Sequence, residues 1–309
     1  MGQVLRAGVI GAGVFGGYHA GKYAALPGVT LAGVYDHHAV HAETLAAKHG
    51  VTVFDSEAAL IAAVDIVSVA TPAVHHAEPA LAALEAGRAV YVEKPVATSL
   101  QDAARIVALA RSKGVFAACG FLERAGLAAM GLFDIPEAPL LLEAVRVGPP
   151  SPRNLDVSVV LDLMIHDLDL ALALSPDEPM TVEADGACVA NRTLDRVEAE
   201  AQFEDGFVAR FRASRIAEGR ERTMRIVYPS GEVRVDFLSR AFTNTTPFPL
   251  AADFADSPAG RDGLGVSIAA FVAAVRGETA APLASARDGE RALHLALAVE
   301  EAMVQQGLV

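Results

Sequence analysis

The stretch Val4-Leu5-Arg6-Ala7-Gly8-Val9-Ile10-Gly11-Ala12-Gly13-Val14-Phe15-Gly16 joins a short apolar run to a G-x-G-x-x-G sequence and leads into the helix-like run Val14–Ala25. A glycine pattern that ends a strand and opens a helix stands in the context in which it binds a dinucleotide. Gly11 allows the tight turn, Gly13 lets the backbone approach a pyrophosphate, and Gly16 packs helix against strand. Gly11, Gly13, Val14, Phe15 and Gly16 are therefore the first expected cofactor contacts.

Outward from this turn, strand-like and helix-like segments alternate. Thr30–Tyr35, Val51–Phe54, Ile66–Ala70, Ala89–Val92 and Val115–Phe121 read as strands. Ala39–His49, Glu57–Ala63, His75–Ala86 and Leu100–Lys113 read as helices, the last with a capping box from Thr98 and Gln101. Apolar strands joined by helices require a parallel sheet covered on both faces. The fold class is α/β, a doubly wound Rossmann sheet over residues 1–121.

Beyond Phe121 the pattern changes. Leu140–Val147, Thr181–Val189, Arg196–Glu204, Phe207–Ser214, Thr223–Tyr228 and Glu232–Phe237 read as strands with short connections, and Asp205-Gly206 and Pro229-Ser230-Gly231 suit hairpins. Val197, Ala199, Ala201 and Phe203 alternate with Glu198, Glu200 and Gln202, so one face is oily and the other charged, with Arg210 and Arg212 opposite the glutamates. Residues 122–309 are expected to form an α+β domain with a mostly antiparallel open sheet, served by helices Val160–Leu174 and Gly265–Arg276. Residues 239–262 read as a loop, and a last helix from Ser285 to about Gln305 is placed to pack back on the first domain.

Bulk composition narrows the function. Hydrophobic residues make up 52% and charged residues 20%, as in a globular chain. No apolar run reaches the roughly 18–20 residues of a membrane-spanning helix, and Met1–Gly17 lacks the cationic leader of a secretion signal. Two cysteines, Cys119 and Cys188, make no disulfide scaffold and suggest a cytoplasmic protein. A net charge of -13 repels nucleic acid.

Three further places carry chemistry. Asp36 ends the second strand, where a carboxylate accepts hydrogen bonds from the adenosine ribose and repels a 2′-phosphate. His37 and His38 follow it rather than Arg or Lys, which favours NAD over NADP. Glu93-Lys94-Pro95 follows a buried strand at the carboxyl edge, where an ammonium can stabilise a developing alkoxide. Asp162, His166 and Asp169 fall at i, i+4 and i+7 of an oily run, on one helix face. His166 is the natural proton acceptor, while Asp162 fixes its tautomer or binds a substrate hydroxyl. Asp167 lies off that stripe and is assigned no chemistry. The histidines show no metal-like spacing, so no metal site is expected.

Taken together, Gly11–Gly16, Thr71-Pro72 with His76, Ala86-Gly87, Glu93-Lys94-Pro95, and Asp162 with His166 resemble the Gfo/Idh/MocA family of NAD(P)-dependent oxidoreductases, in its order and spacing. The resemblance implies Lys94, Asp162 and His166 as the active-site trio and Thr71, Pro72, His76, Glu93 and Pro95 beside the cofactor. It also implies a cis Lys94–Pro95 bond. Gly120-Phe121-Leu122-Glu123-Arg124, Arg153 and Val160–Asp169 are similar to the family's UDP-N-acetylglucosamine 3-dehydrogenase subgroup, although Ala125-Gly126-Leu127 stand where that subgroup continues Phe-Asn-Pro. Arg124, Arg153 and Asp169 are the substrate contacts this implies, with Arg124 and Arg153 on phosphate.

The expected activity is hydride transfer between a sugar hydroxyl, on a nucleotide sugar above all, and NAD, with the substrate held between the domains. An unphosphorylated sugar or polyol, or an imine or tetrapyrrole, is the alternative substrate. A dinucleotide-sensing binding protein is the alternative of another class. A homodimer or homotetramer follows by analogy with the family.

Overall fold

Six parallel strands, β1 (Leu5–Ile10), β2 (Val29–Tyr35), β3 (Thr52–Val53), β4 (Ile66–Val69), β5 (Ala89–Val92) and β6 (Ala117–Cys119), form a sheet in the order β3-β2-β1-β4-β5-β6 in the computed structural model, which describes residues 4–151 and 155–305. Every residue of β4 and β5 is buried, as strands covered on both faces must be. The covering helices are α1 (Val14–Ala25), α2 (Ala39–His49), α3 (Glu57–Ala63), α4 (Ala77–Glu85) and α5 (Leu100–Lys113). The chain moves outward from β1 to β2 and β3, then returns across β1 to β4. That reversal opens a crevice at the carboxyl ends of β1 and β4, where ligands of such sheets bind.

Two local readings need correction in this half. The cap of α5 is Ser99, not Thr98: its Oγ accepts from the Asp102 N–H at 3.1 Å and donates to Asp102 Oδ2 at 2.8 Å. Ser99 directly precedes the first helical residue, so it alone has the reach. The expected helix His75–Ala86 is split into a 3₁₀ turn, Ala73–His75, and α4, because the His76 ring is held by backbone carbonyls on either side of it in sequence.

The second sheet has the order β13-β12-β11-β7-β10-β9-β8. Its strands are β7 (Leu141–Val147), β8 (Pro179–Ala187), β9 (Arg196–Phe203), β10 (Val208–Ser214), β11 (Glu221–Tyr228), β12 (Gly231–Asp236) and β13 (Ala241–Asn244). All neighbours run antiparallel except β7 and β10. The alternation on β9 holds, with Val197, Ala199, Ala201 and Phe203 buried. On the outer face Arg210 Nε donates to Glu200 Oε2 at 2.8 Å, and Arg212 lies 3.7 Å from Glu198. Helices α6 (Glu123–Met130) and α7 (Ile165–Leu174) and the short α8 (Pro258–Arg261) belong with this sheet. The sequence reading missed α6, and residues 239–262 are not one loop, since they contain β13 and α8. Nor is Val160–Leu174 one α-helix: Val160–Met164 is a π-helical turn that leads into α7.

Two later helices complete the chain, α9 (Gly263–Val275) and α10 (Ala286–Gln305). The chain forms two compact units, Met1–Leu122 with Asp262–Glu290, and Glu123–Arg261 with Arg291–Val309. Helix α9 therefore belongs to the first unit, not to the second sheet where the sequence reading had it. Leu264, Ile268, Phe271 and Val272 of α9 share a core with Tyr23, Leu31, Val34 and Tyr91. The Phe271 ring meets the Tyr91 ring edge-on at 5.8 Å, and the Tyr91 hydroxyl lies 2.9 Å from Ser267 Oγ. A helix this apolar is fixed by the core that accepts it, and its own periodicity does not name that core.

Candidate active site

In the first unit, the glycine turn has the geometry its sequence requires. Gly11 has φ 93°, and a Cβ there would lie 2.6 Å from the Ala70 backbone. A Cβ on Gly16 would collide with the Gly11 carbonyl oxygen. Gly13 differs: a Cβ there would meet no protein atom within 4 Å. Packing inside the protein therefore does not demand glycine at 13, whereas a pyrophosphate lying against the backbone does. Gly13 also precedes the first turn of α1 with no side-chain cap, so the amides of Val14 and Phe15 form the positive end of a 12-residue helix. Asp36 stands beside this turn. Its Oδ2 accepts from the Ala12 N–H at 2.6 Å and its Oδ1 from the His38 N–H at 2.8 Å. The residues present fit an NAD-type dinucleotide.

At the ends of β4 and β5, His76 is buried, with Nδ1 donating to the Pro95 carbonyl at 2.6 Å and Nε2 lying 2.9 Å from the Thr71 carbonyl. Burial pushes its pKa down, while the two carbonyls and Glu93 pull the other way. A ring enclosed in this way clamps Thr71 to Pro95. The Lys94–Pro95 bond is cis. Lys94 is half-buried, and its N–H donates to Glu93 Oε2 at 3.4 Å.

The sequence reading missed the group behind Glu93. His19 of α1 is fully buried, with Nε2 donating to Glu93 Oε1 at 2.9 Å and Nδ1 lying 2.9 Å from Ser68 Oγ. The Tyr23 hydroxyl lies 2.8 Å from the same Ser68 oxygen. Burial would raise the Glu93 pKa, but the His19 hydrogen bond outweighs it and holds the carboxyl below its ordinary range. Gly120 makes the room, since a Cβ there would stand 2.9 Å from Glu93 Oε2.

In the second unit, the π-helical turn and α7 carry Asp162 and His166, both half-buried. Such turns recur at functional sites. Against His166 Nδ1, at 2.9 Å, lies Glu123 Oε2 of α6. The contact is off the ideal hydrogen-bond direction and is chiefly electrostatic. Glu123, rather than Asp162, is thus the carboxylate on that nitrogen. Its Oε1 accepts from Arg146 Nη1 at 2.8 Å, and Arg146 donates to Asp167 at 3.0 and 2.8 Å. Burial would raise the Glu123 pKa, yet the charges of His166 and Arg146 hold it well below the usual range. Burial opposes the Arg146 charge, and Asp167 and Glu123 more than restore it. Asp167, assigned no chemistry from sequence, is therefore a buried counterion.

The expected substrate contacts are placed differently. Asp169 is fully buried, and Arg124 grips it with two hydrogen bonds of 2.8 and 2.6 Å. A carboxylate sealed from solvent and engaged along both oxygens is an internal partner of Arg124 in this structure. Arg153 lies outside the described residues. A row parity on β7 was the available signal for Arg146, since Leu142, Ala144 and Arg146 alternate onto the buried face. Nothing in the local pattern pointed to Glu123. Among the described residues, no three His, Cys, Asp or Glu side chains group as metal ligands, and no helix is long and apolar enough to cross a membrane.

Residues 5–121 match the model of the GFO/IDH/MocA oxidoreductase family with its NAD-binding Rossmann fold, and residues 149–234 match the GFO/IDH/MocA C-terminal domain. The chain is similar to UDP-N-acetylglucosamine 3-dehydrogenase of Acidithiobacillus ferrooxidans, at 37% identity over 88% of each chain. The crystal structure of that enzyme, GnnA, superposes with a TM-score of 0.88 over 96% of this chain and 97% of the other. An inositol 2-dehydrogenase of Saccharopolyspora erythraea is 31% identical over 59% of this chain and 56% of its own. The WlbA dehydrogenase of Bordetella pertussis, solved with NADH and UDP-GlcNAcA, shares the fold at 21% identity, with a TM-score of 0.87 over 98% of this chain and 96% of its own.

Proposed function

This chain belongs to the Gfo/Idh/MocA family of NAD-binding oxidoreductases, and on that premise we propose that it transfers a hydride between a hydroxyl of a nucleotide sugar and NAD. One observation carries the reading: a half-buried carboxylate, Glu123, lies 2.9 Å from His166 Nδ1. A carboxylate at one ring nitrogen holds the proton there and makes the opposite nitrogen, Nε2, the basic one. In this proposal His166 Nε2 takes the proton of the substrate hydroxyl. Glu123 and Arg146 hold the ring in place and stabilise the imidazolium that forms. Lys94 steadies the alkoxide with its ammonium, and Asp162 accepts a hydrogen bond from a substrate hydroxyl.

NAD, when bound, supplies the hydride acceptor. Gly11, Gly13, Val14, Phe15 and Gly16 are its proposed pyrophosphate turn, and Asp36 its ribose partner. Thr71, Pro72, Glu93, Lys94 and Pro95 line its nicotinamide end, with His19 and His76 holding them from behind. The 37% identity to a UDP-N-acetylglucosamine 3-dehydrogenase supports the substrate class. Arg153 stays a proposed phosphate contact. The proposal includes a homodimer or homotetramer in the cytoplasm, by analogy with the family.

The test is a purified His166→Ala enzyme. Its kcat should fall roughly 10²–10⁴-fold, read as reduced-nicotinamide absorbance, while NAD still raises its melting temperature. An unchanged kcat would reject His166 as the base. The inositol relative favours a second reading, an uncharged polyol as substrate. Comparing kcat/KM for UDP-N-acetylglucosamine and myo-inositol separates the two.

A further inference from the structure

Strand alternation on β11 puts Met224, Ile226 and Tyr228 on the buried face of the second sheet, and Arg222 falls in the same row. The register agrees. Arg222 lies directly opposite Arg146 of β7, and its carbonyl accepts from the Phe237 N–H at 2.9 Å. The Phe237 ring stands 5.8 Å from the Arg146 guanidinium. Directly paired residues project to the same face, so Arg222 stands beside the Arg146–Glu123–His166 chain. Unlike Arg146, it is exposed.

Charge makes this position unusual. Arg124 has Asp169, Arg146 has Asp167 and Glu123, and Arg215 has Asp195. Among the described residues, the side chains of Arg222 and of Arg220 make no hydrogen bond and no ion pair. Desolvation by the neighbouring protein, then the positive charges of Arg146 and Arg220, push the Arg222 pKa down, against the pull of Glu123 and Asp167. The nearby carboxylates are already engaged by Arg146, so Arg222 meets two like charges without a counterion of its own. An oxyanion at its guanidinium fork would relieve that repulsion and complete the bidentate geometry the fork is built for.

We propose that Arg222, flanked by Arg220, is the anion-binding residue of the site around His166, holding a phosphate or carboxylate of the substrate. It takes the place left by Arg124, whose guanidinium is turned to Asp169. The assignment rests on the reading of His166 as the reaction centre and deepens it by requiring an acidic substrate.

The test is calorimetric titration of the full chain with NAD present, using UDP and, separately, glucuronate. Both ligands are given to the wild type, R222Q, R222K and R212Q. R222Q should bind one of the two on the order of 10- to 100-fold more weakly than the wild type. R222K, which keeps the charge but not the fork, should fall between them, and R212Q, on the outer face, should match the wild type. Loss confined to UDP identifies the diphosphate, and loss confined to glucuronate identifies a ring carboxylate. Equal affinities in wild type and R222Q for both ligands would overturn the proposal, as would a wild type that binds neither. Failure of the reaction reading shows elsewhere, as undiminished turnover in the His166→Ala enzyme, and leaves the titrations intact.

Discussion

Glu123 is the residue on which the proposed chemistry turns. It sits at the start of α6, is drawn to Arg146 on one oxygen, and lies against His166 with the other. Its negative charge stabilises the imidazolium form. Removing that charge in Glu123→Gln should lower the pKa of the His166 imidazole and, with His166 as the proposed base, move the acidic limb of the kcat–pH profile to lower pH. The accompanying loss in kcat should be about 10- to 100-fold, the usual penalty for losing a group that orients a functional histidine. A purely structural Glu123 would leave the shape of the profile as it is. The same logic separates Asp167 and Asp169 from the site: both are closed off by arginines, so their charges serve the interior.

For the elements, the turn between β1 and α1 separates folding from binding. At Gly16 a methyl group has nowhere to go, because the Gly11 carbonyl occupies its place. Gly16→Ala should therefore unfold at lower urea than the wild type, by about 1–3 kcal/mol, as overpacking of a tight contact does. Gly13 faces no protein atom at that position. Gly13→Ala should keep the wild-type urea midpoint and lose affinity for NAD in a fluorescence or calorimetric titration. Equal NAD affinity in Gly13→Ala would mean that the cofactor does not lie against this backbone. Helices α1, α2, α3 and α5 run over the residues expected of them, α2 and α5 stopping at Gly50 and Gly114, since each is decided by neighbours within one or two turns. The π-helical turn at Val160–Met164 escapes such reading, because an extra residue per turn leaves the apolar run unchanged in composition.

For the whole molecule, each unit contains a carboxylate held ionised by its partners, Glu93 by His19 and Glu123 by His166 and Arg146. Both have pKa values below the ordinary 4.5, so the folded state binds fewer protons than the unfolded chain in that range. Their stabilisation is complete above pH 4.5 and disappears as the pH drops through that value toward the folded pKa. Melting temperature should accordingly fall on acidification below this range, and less steeply in Glu123→Gln, which has no such proton to take up. A Glu123→Gln protein with the full acid sensitivity of the wild type would show that this carboxylate is not a source of it.

The sequence by itself determined the doubly wound sheet, the glycine turn and the alternation of β9, and it singled out Asp36, Lys94, Asp162 and His166 as the residues to which the proposed function is assigned. Those signals are local: a period of two or 3.6, a glycine where a turn needs one, a charged side chain at a strand end. Only the tertiary structure decided that α9 joins the first core, that Arg124 turns to Asp169, and that Glu123 stands behind the histidine. Each of those depends on which distant segment supplies the partner for a buried group. A charge must be matched wherever the fold places it, and spacing along the chain carries no record of that match.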